Sequence, residues 1–269
     1  MVRRAATSDR PYTYGLMPTG DKTPDSDLSP FGFEQVPTGA KQDRVDAVFD
    51  TVSDRYDIMN DLMSLGLHRE WKNIFTSLVK PARHGRSRHI DVAGGTGDIA
   101  RRIRAAGGPG TEIAVVDINE NMLRAGARRH DSSGLELVTA NAEALPFAND
   151  AFDTYTIAFG IRNVPRIDKA LGEAFRVLRF GGRFLCLEFS TVNVPFLDRF
   201  YDAYSFKVLP AIGKRVTGDA DAYRYLAESI RTFPPPEAFE QRIRAAGFAR
   251  TSTRLLSGGI VAIHSGWKL

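Results

Sequence analysis

The run Asp91-Val92-Ala93-Gly94-Gly95-Thr96-Gly97-Asp98 sets three glycines and a hydroxyl between two carboxylates. Placed between a strand and a helix, such a turn brings backbone N–H groups close to a ligand at the carboxyl edge of a sheet. Residues 95–100 also satisfy the G-x-G-x-x-A dinucleotide pattern, which taken singly is a weak signal. Asp117 lies about 20 residues past the last glycine, where a carboxylate accepts hydrogen bonds from ribose hydroxyls. Asn141-Ala142 follows a third apolar run. An Asn amide and a backbone N–H match an adenine edge, although a turn-forming Asn is the simpler alternative. Together these residues point to a nucleoside.

Charge then selects among nucleosides. A dinucleotide sets its pyrophosphate at the helix start, where Asp98 repels it. S-adenosylmethionine has no phosphate and carries an ammonium and a sulfonium. Asp91 and Asp98 suit those cations, and backbone N–H groups around Thr96 suit its carboxylate. The expected cofactor contacts are therefore Gly94, Thr96, Asp117, Asn141 and Ala142. Two alternatives stand beside this reading: Asp98 is a helix cap, worth about 1 kcal/mol, and the chain is a nicotinamide-dependent dehydrogenase.

These residues need a sheet to hold them. Helical and strand periodicities alternate from residue 90 onward: strand 90–93, helix 98–106, strand 113–118, helix 120–129, strands 135–140 and 152–159, helix 167–178, and strand 183–189. Strands separated by such helices predict a parallel sheet with helices on both faces. Segments 248–256 and 259–267, split by Ser257 and Gly258, predict a closing antiparallel hairpin. Before the sheet, Val45, Val48, Phe49, Val52, Tyr56, Met59 and Met63 recur at helical spacing, and a second helix follows over 68–79. Residues 1–40, with five prolines, read as a mobile arm in which FGFEQV (31–36) tethers to the core. Residues 41–80 read as a helical lid and 191–235 as an aromatic-rich helical insertion within the 41–269 domain.

Composition agrees with one folded unit. The 269 residues are 43% hydrophobic, with 36 basic and 32 acidic side chains, far from a nucleic-acid-binding tail, so no nucleic acid is expected. No stretch has the roughly 18 apolar residues of a membrane span. The single cysteine, Cys186, sits in an apolar run, as a buried thiol does, and a cytoplasmic location is expected. The five histidines show no ligand spacing, so no metal is expected.

Beyond these landmarks, VFDTVSDRYDIMNDLMSLGLHREWK (48–72), DVAGGTGDIA, NAEALPF, AFGIRNV (158–164), RVLRFGGRFLCLEFS and GIVAIHSGWKL resemble the ubiquinone/menaquinone biosynthesis C-methyltransferase family. The resemblance spans about 31–269. It implies the class I methyltransferase fold, an α/β seven-stranded mostly parallel sheet with a C-terminal antiparallel hairpin. It also implies methylation of a ring carbon of a polyprenylated benzoquinol or naphthoquinol. Thr96, Asp117, Asn141 and Ala142 match the family's cofactor positions. One departure is Phe180, where such proteins usually carry proline.

A ring carbon becomes a competent nucleophile when a neighbouring hydroxyl is deprotonated, so the site must favour a phenolate. Arg162, following the fourth sheet strand, is expected to stabilise that anion, and Asn163 to orient the substrate or a water. Tyr56 is expected to position the ring oxygen, with Asp57 and His68 as further candidates for the base; Tyr56 as a packing residue and His68 as a helix cap are the competing readings. Aromatic side chains such as Phe196, Tyr201 and Tyr204 are expected to wall the prenyl tail. Expected partners are the quinol, a membrane surface touched peripherally at its inner face, and a second copy or other quinone-pathway enzymes. A non-catalytic scaffold for such enzymes is the remaining alternative.

Overall fold

Strand residues alternate between two apolar environments, which fixes the architecture. In the computed structural model Ile113 and Val115 face one core, with Leu185 and Leu187, while Ala114 and Val116 face another, with Phe184 and Cys186. A sheet apolar on both faces must be covered on both. The structure describes residues 28–52, 61, 64, 66–129, 131, 134–190 and 220–269.

A short hairpin, β1 (Leu28–Phe31) and β2 (Glu34–Pro37), precedes helix α1 (Thr38–Val52) and helix α2 (His68–Ser77). The sheet is built from β3 (Ser87–Val92), β4 (Thr111–Asp117), β5 (Leu135–Thr139), β6 (Phe152–Ala158), β7 (Leu178–Phe189), β8 (Ala249–Leu256) and β9 (Val261–Trp267). Helices α3 (Asp98–Ala106), α4 (Glu120–Ala127), α5 (Ile167–Val177), α6 (Ala220–Thr232) and α7 (Pro236–Ala245) complete the described elements. Strand order is β5-β4-β3-β6-β7-β9-β8, parallel except that β9 runs against both of its neighbours. This is the expected seven-stranded sheet with its closing hairpin.

Phe75, Ile103, Leu226 and Ile230 bring α2, α3 and α6 onto one face, and Leu171, Ala174, Phe239 and Ile243 bring α5 and α7 onto the other. From β3 the chain runs to β4 on one side, and β6 pairs on the other. That reversal opens a crevice at the strands' carboxyl ends, the usual ligand position in such sheets.

Several boundaries differ from the sequence reading, β3 starting at Ser87 and not at residue 90 and β7 at Leu178 and not at residue 183. Residues 28–37, assigned there to the arm, form the β1–β2 hairpin, held by Ser29 Oγ against Thr38 Oγ1 at 2.9 Å and by Phe31 stacked on Tyr225 at 4.3 Å. Side-chain contacts to distant elements, invisible to composition, order this stretch. Helix α1 accordingly starts at Thr38. The closing hairpin turns through a 3-10 segment at Ser257–Gly259 in place of two residues, since Gly258 and Gly259 supply the positive φ it needs. Phe180 is exposed beside Gly181, with the Lys268 ammonium 5.2 Å over its ring. Residues 1–27 of the arm and 191–219 of the insertion lie outside the described residues.

Candidate active site

The glycine turn forms at the end of β3 as expected. A Cβ on Gly94 would lie 2.7 Å from Val115 Cγ1, so only glycine lets the turn fold back over β4. Gly160, after β6, faces Ala93 with no room for a Cβ. Between these two close approaches lies a cleft with an empty volume of ≈ 690 Å³. Asp117, Asn141 and Ala142 line it from the sheet side, and Gln42, Val45 and Asp46 of α1 line it from above. A second cavity of ≈ 430 Å³ is lined by Lys72, Asp91, Gly94, Thr96 and Asp98. Ala93, Gly95 and Phe159 border both, so one ligand can run through the two.

Asp117 Oδ2 accepts the Gly95 N–H at 2.8 Å and Oδ1 the Asn119 N–H at 2.9 Å, which fixes the carboxylate at the cleft wall. Burial outweighs these bonds and brings its pKa up to about 6. Asn141 serves both of its alternatives. Its Oδ1 accepts the Glu143 N–H at 2.8 Å in an Asx turn, and the residue still borders the cleft.

Asp91 is fully buried at the end of β3. Its Oδ1 accepts from Thr156 Oγ1 at 2.8 Å, while Oδ2 has no hydrogen-bond partner among the described residues. Burial raises its pKa to about 7. A buried carboxylate with an orphaned oxygen beside a cavity is a site for a cationic donor such as an ammonium.

The expectation for Asp98 needs correction. Its oxygens are taken by Lys72 Nζ at 2.9 Å and Arg102 Nε at 3.0 Å. Burial acts to raise its pKa, but the Lys72 and then the Arg102 charge prevail and hold it at about 2. Its negative charge is therefore already matched, and the cation-accepting group is Asp91. Lys72 is buried at the same cavity wall, with its ammonium paired to Asp98. The residues present would fit an α-amino acid end, with its ammonium toward Asp91 and its carboxylate toward the N–H groups of the turn.

Arg162 and Asn163 sit in a 3-10 turn (Ile161–Asn163) just past β6; Asn163 borders the cleft, whereas Arg162 lines a separate cavity with Lys41, Pro165 and Ser229. Arg162 Nη1 donates to Glu188 Oε1 at 2.7 Å and to the Phe159 carbonyl at 2.6 Å, and Nε donates to Ser229 Oγ at 3.3 Å. The guanidinium lies 5.5 Å over the Phe189 ring. Glu188 is 0% exposed and its pKa is raised, burial exceeding the opposing pull of Arg162. The sequence reading missed Glu188, Asp46 and Lys72. For Glu188, a carboxylate inside the apolar run FLCLEF, the signal was present, since such a charge requires a buried partner.

Asn163 borders the cleft, and its Oδ1 accepts from the Tyr225 hydroxyl at 3.0 Å. His68 is the first residue of α2 and does not cap it; its Nδ1 lies 3.0 Å from Ser64 Oγ and 3.5 Å from Asp61 Oδ1. Burial, then the Lys72 charge, lowers its pKa and keeps it neutral near pH 7. Tyr56, Asp57 and the candidate tail-wall residues Phe196, Tyr201 and Tyr204 lie outside the described residues.

Comparison with known proteins agrees with this geometry. Among solved structures, a methyltransferase dependent on S-adenosylmethionine from Thermotoga maritima superposes with a TM-score of 0.58 at 19% identity, over 83% of this chain and 99% of that one. Phosphoethanolamine N-methyltransferase 2 of Haemonchus contortus, in complex with S-adenosyl-L-methionine, gives 0.55 at 14% identity over 74% of this chain and 52% of that one. These likenesses establish the class I methyltransferase fold. Sequence similarity reaches further. The chain is 58% identical over 248 residues to the ubiquinone/menaquinone biosynthesis C-methyltransferase UbiE of Methylobacterium nodulans, covering 91% of this chain and 98% of that protein. It is 59% identical over 244 residues to the UbiE of Bradyrhizobium diazoefficiens, covering 89% and 96%. The profile of the ubiE/COQ5 methyltransferase family matches residues 37–268, and the chain belongs to that family.

Proposed function

We propose that this chain is an S-adenosylmethionine-dependent C-methyltransferase acting on the ring of a polyprenylated quinol, in ubiquinone biosynthesis, menaquinone biosynthesis or both. The observation that carries the reading is a cleft lined by Asp117 and continuous with the orphaned Asp91 carboxylate, in a chain matching quinone-pathway methyltransferases over nearly its whole length. S-adenosylmethionine, when bound, supplies an electrophilic methyl group on a sulfonium.

The residues of the chain orient the rest. Asp91 and the N–H groups of the glycine turn hold the amino acid end, Asp117 the ribose, and Asn141 with Ala142 the adenine. Gly94 and Thr96 let backbone reach the cofactor. Holding donor and acceptor at about 3 Å supplies up to about 7–11 kcal/mol of the barrier reduction. Loss of the hydroxyl proton leaves a phenolate whose charge is shared with the ring carbon. Methyl transfer to that carbon would release the sulfur as a neutral thioether holding the electron pair of the broken S–C bond; the ring C–H proton would then depart to restore aromaticity and the ring oxygen regain a proton, one proton being released overall.

Arg162 is the cation for the phenolate. Its Nη1 and Nε are anchored, and Nη2 is the arm left among the described residues for a ligand oxygen. Asn163 orients that oxygen, Tyr56 assists it, and a neutral His68 is the described candidate for proton acceptor. In cells deleted for this protein, extracted quinones analysed by mass are expected to shift to a species lighter by one methyl group. An unchanged quinone profile would refute the assignment.

A further inference from the structure

Asn163 is joined to a residue far from it in sequence, and the join decides which end of its amide faces the ligand. Tyr225, on α6, is 5% exposed and donates its hydroxyl to Asn163 Oδ1 at 3.0 Å across 62 residues of chain. Its ring stacks on Phe31 of the β1–β2 hairpin, with centroids 4.3 Å apart and planes at 22°. Burial raises the Tyr225 pKa, so the group stays a protonated donor throughout the working pH range. An amide has one acceptor end and one donor end, and the bond from the Tyr225 hydroxyl engages the acceptor end. The Asn163 backbone is held independently, its N–H donating to the Gly160 carbonyl at 3.1 Å. With Oδ1 occupied, Nδ2 is the end of Asn163 left for the cleft that this residue borders.

We infer that Tyr225 is a positioning residue for the methyl transfer: by engaging Asn163 Oδ1 it presents the Asn163 N–H₂ to the acceptor ring's oxygen as a fixed donor. The inference rests on the quinol-methylation reading and deepens it. A donor suits that position chemically, because negative charge builds on the ring oxygen before the carbon attacks, and an amide oxygen turned the same way would repel it. The β1–β2 hairpin thereby gains a task. It backs the Tyr225 ring and so holds the hydroxyl in place.

The test compares Y225F, N163D, their double variant and F31A, using a short-chain prenylated hydroquinone that lacks the ring methyl, kept reduced, with S-adenosylmethionine as donor. Phenylalanine keeps the stacked ring and removes only the hydroxyl, so Y225F is expected to melt with the wild type and bind S-adenosylmethionine equally well. Its kcat is expected to fall about tenfold, as for a freed orienting group. The ascending limb of its kcat–pH profile should move up by about half a unit, because the phenolate is less well stabilised. N163D retains the acceptor for Tyr225 but offers the cleft no donor, and should lose about 100-fold in kcat. Adding Y225F to N163D should then cost less than twofold. F31A separates packing from positioning, since it should lower the melting temperature more than Y225F does while lowering kcat less. A Y225F enzyme with wild-type kcat and pH profile, or single losses that multiply in the double variant, would overturn the inference while leaving the quinol reading intact. A wild-type protein that binds S-adenosylmethionine yet methylates no reduced quinol would overturn both.

Discussion

At Asp91 the chain keeps a charge where burial opposes one. The folded pKa of about 7 lies above the value of 3.8 that the unfolded chain provides, so the folded state binds more protons between those limits. This group's contribution to stability is therefore complete below about pH 4 and is lost as pH rises through about 7. Asp117, raised to about 6, acts in the same direction. The ligand-free protein thus bears unmatched buried charge at neutral pH, which a cationic ligand relieves. The expected consequence is that D91N, without ligand, melts above the wild type at pH 8 but loses that advantage at pH 5, where Asp91 is itself protonated. The same substitution should weaken S-adenosylmethionine binding at pH 8 by at least tenfold, as loss of a charge-assisted hydrogen bond implies. Calorimetric melting at the two pH values and titration with the cofactor measure both. A D91N protein less stable than wild type at pH 8 would show that the charge is compensated in some other way.

The elements are joined at the acceptor side by one buried ion pair. Arg162 belongs to the 3-10 turn after β6 and Glu188 to the end of β7, so their 2.7 Å contact ties two neighbouring strand ends together. Truncating one partner leaves an uncompensated buried charge, and R162A is expected to cost about 3–5 kcal/mol in urea denaturation. The double variant R162M/E188L removes both charges and should recover most of that loss. It should nevertheless remain without methyltransferase activity, because the cation for the phenolate is gone. Recovery of activity in the double variant would place Arg162 among purely structural residues. Helix α1 plays a different part at this scale. It borders the cleft through Gln42, Val45 and Asp46, so a helix that precedes the sheet in the chain lines the same cavity as the turn after β3.

Across the whole molecule, a cofactor that contacts β3, β4, β6 and α1 together should stabilise all of them together. At a free concentration 100 times its Kd that amounts to about 2.7 kcal/mol. The prenyl tail of the substrate raises the question of how the enzyme meets it. No helix among the described residues is long and apolar enough to cross a membrane. Leu28 and Phe33, on the β1–β2 hairpin, are exposed apolar side chains, and basic residues are in slight excess over acidic ones. Peripheral binding is the expected mode, each basic residue near an anionic surface contributing about 1 kcal/mol. The protein should co-sediment with anionic vesicles and be released as salt rises, while neutral vesicles retain much less. Equal indifference to both vesicle types would rule this out.

Much of this architecture is written locally. The alternation through Ile113–Val116, the glycines between Asp91 and Asp98, and the placing of Asp117 are set by backbone period and turn sterics, which act within a few residues. They sufficed to predict the seven-stranded sheet and the turn that borders the cleft. Partners of the charged side chains were not legible in the same way. Asp98 is neutralised by Lys72 from a helix 26 residues earlier, Arg162 is held by Glu188, and Asn163 is oriented by Tyr225. Each of these follows from which helix packs on which sheet face, and burial then decides which charges remain unmatched. Asp91 and Asp98 look alike in the sequence, and only the packing of α2 against α3 made Asp98 an occupied ion-pair partner while burial left Asp91 Oδ2 without a hydrogen-bond partner among the described residues.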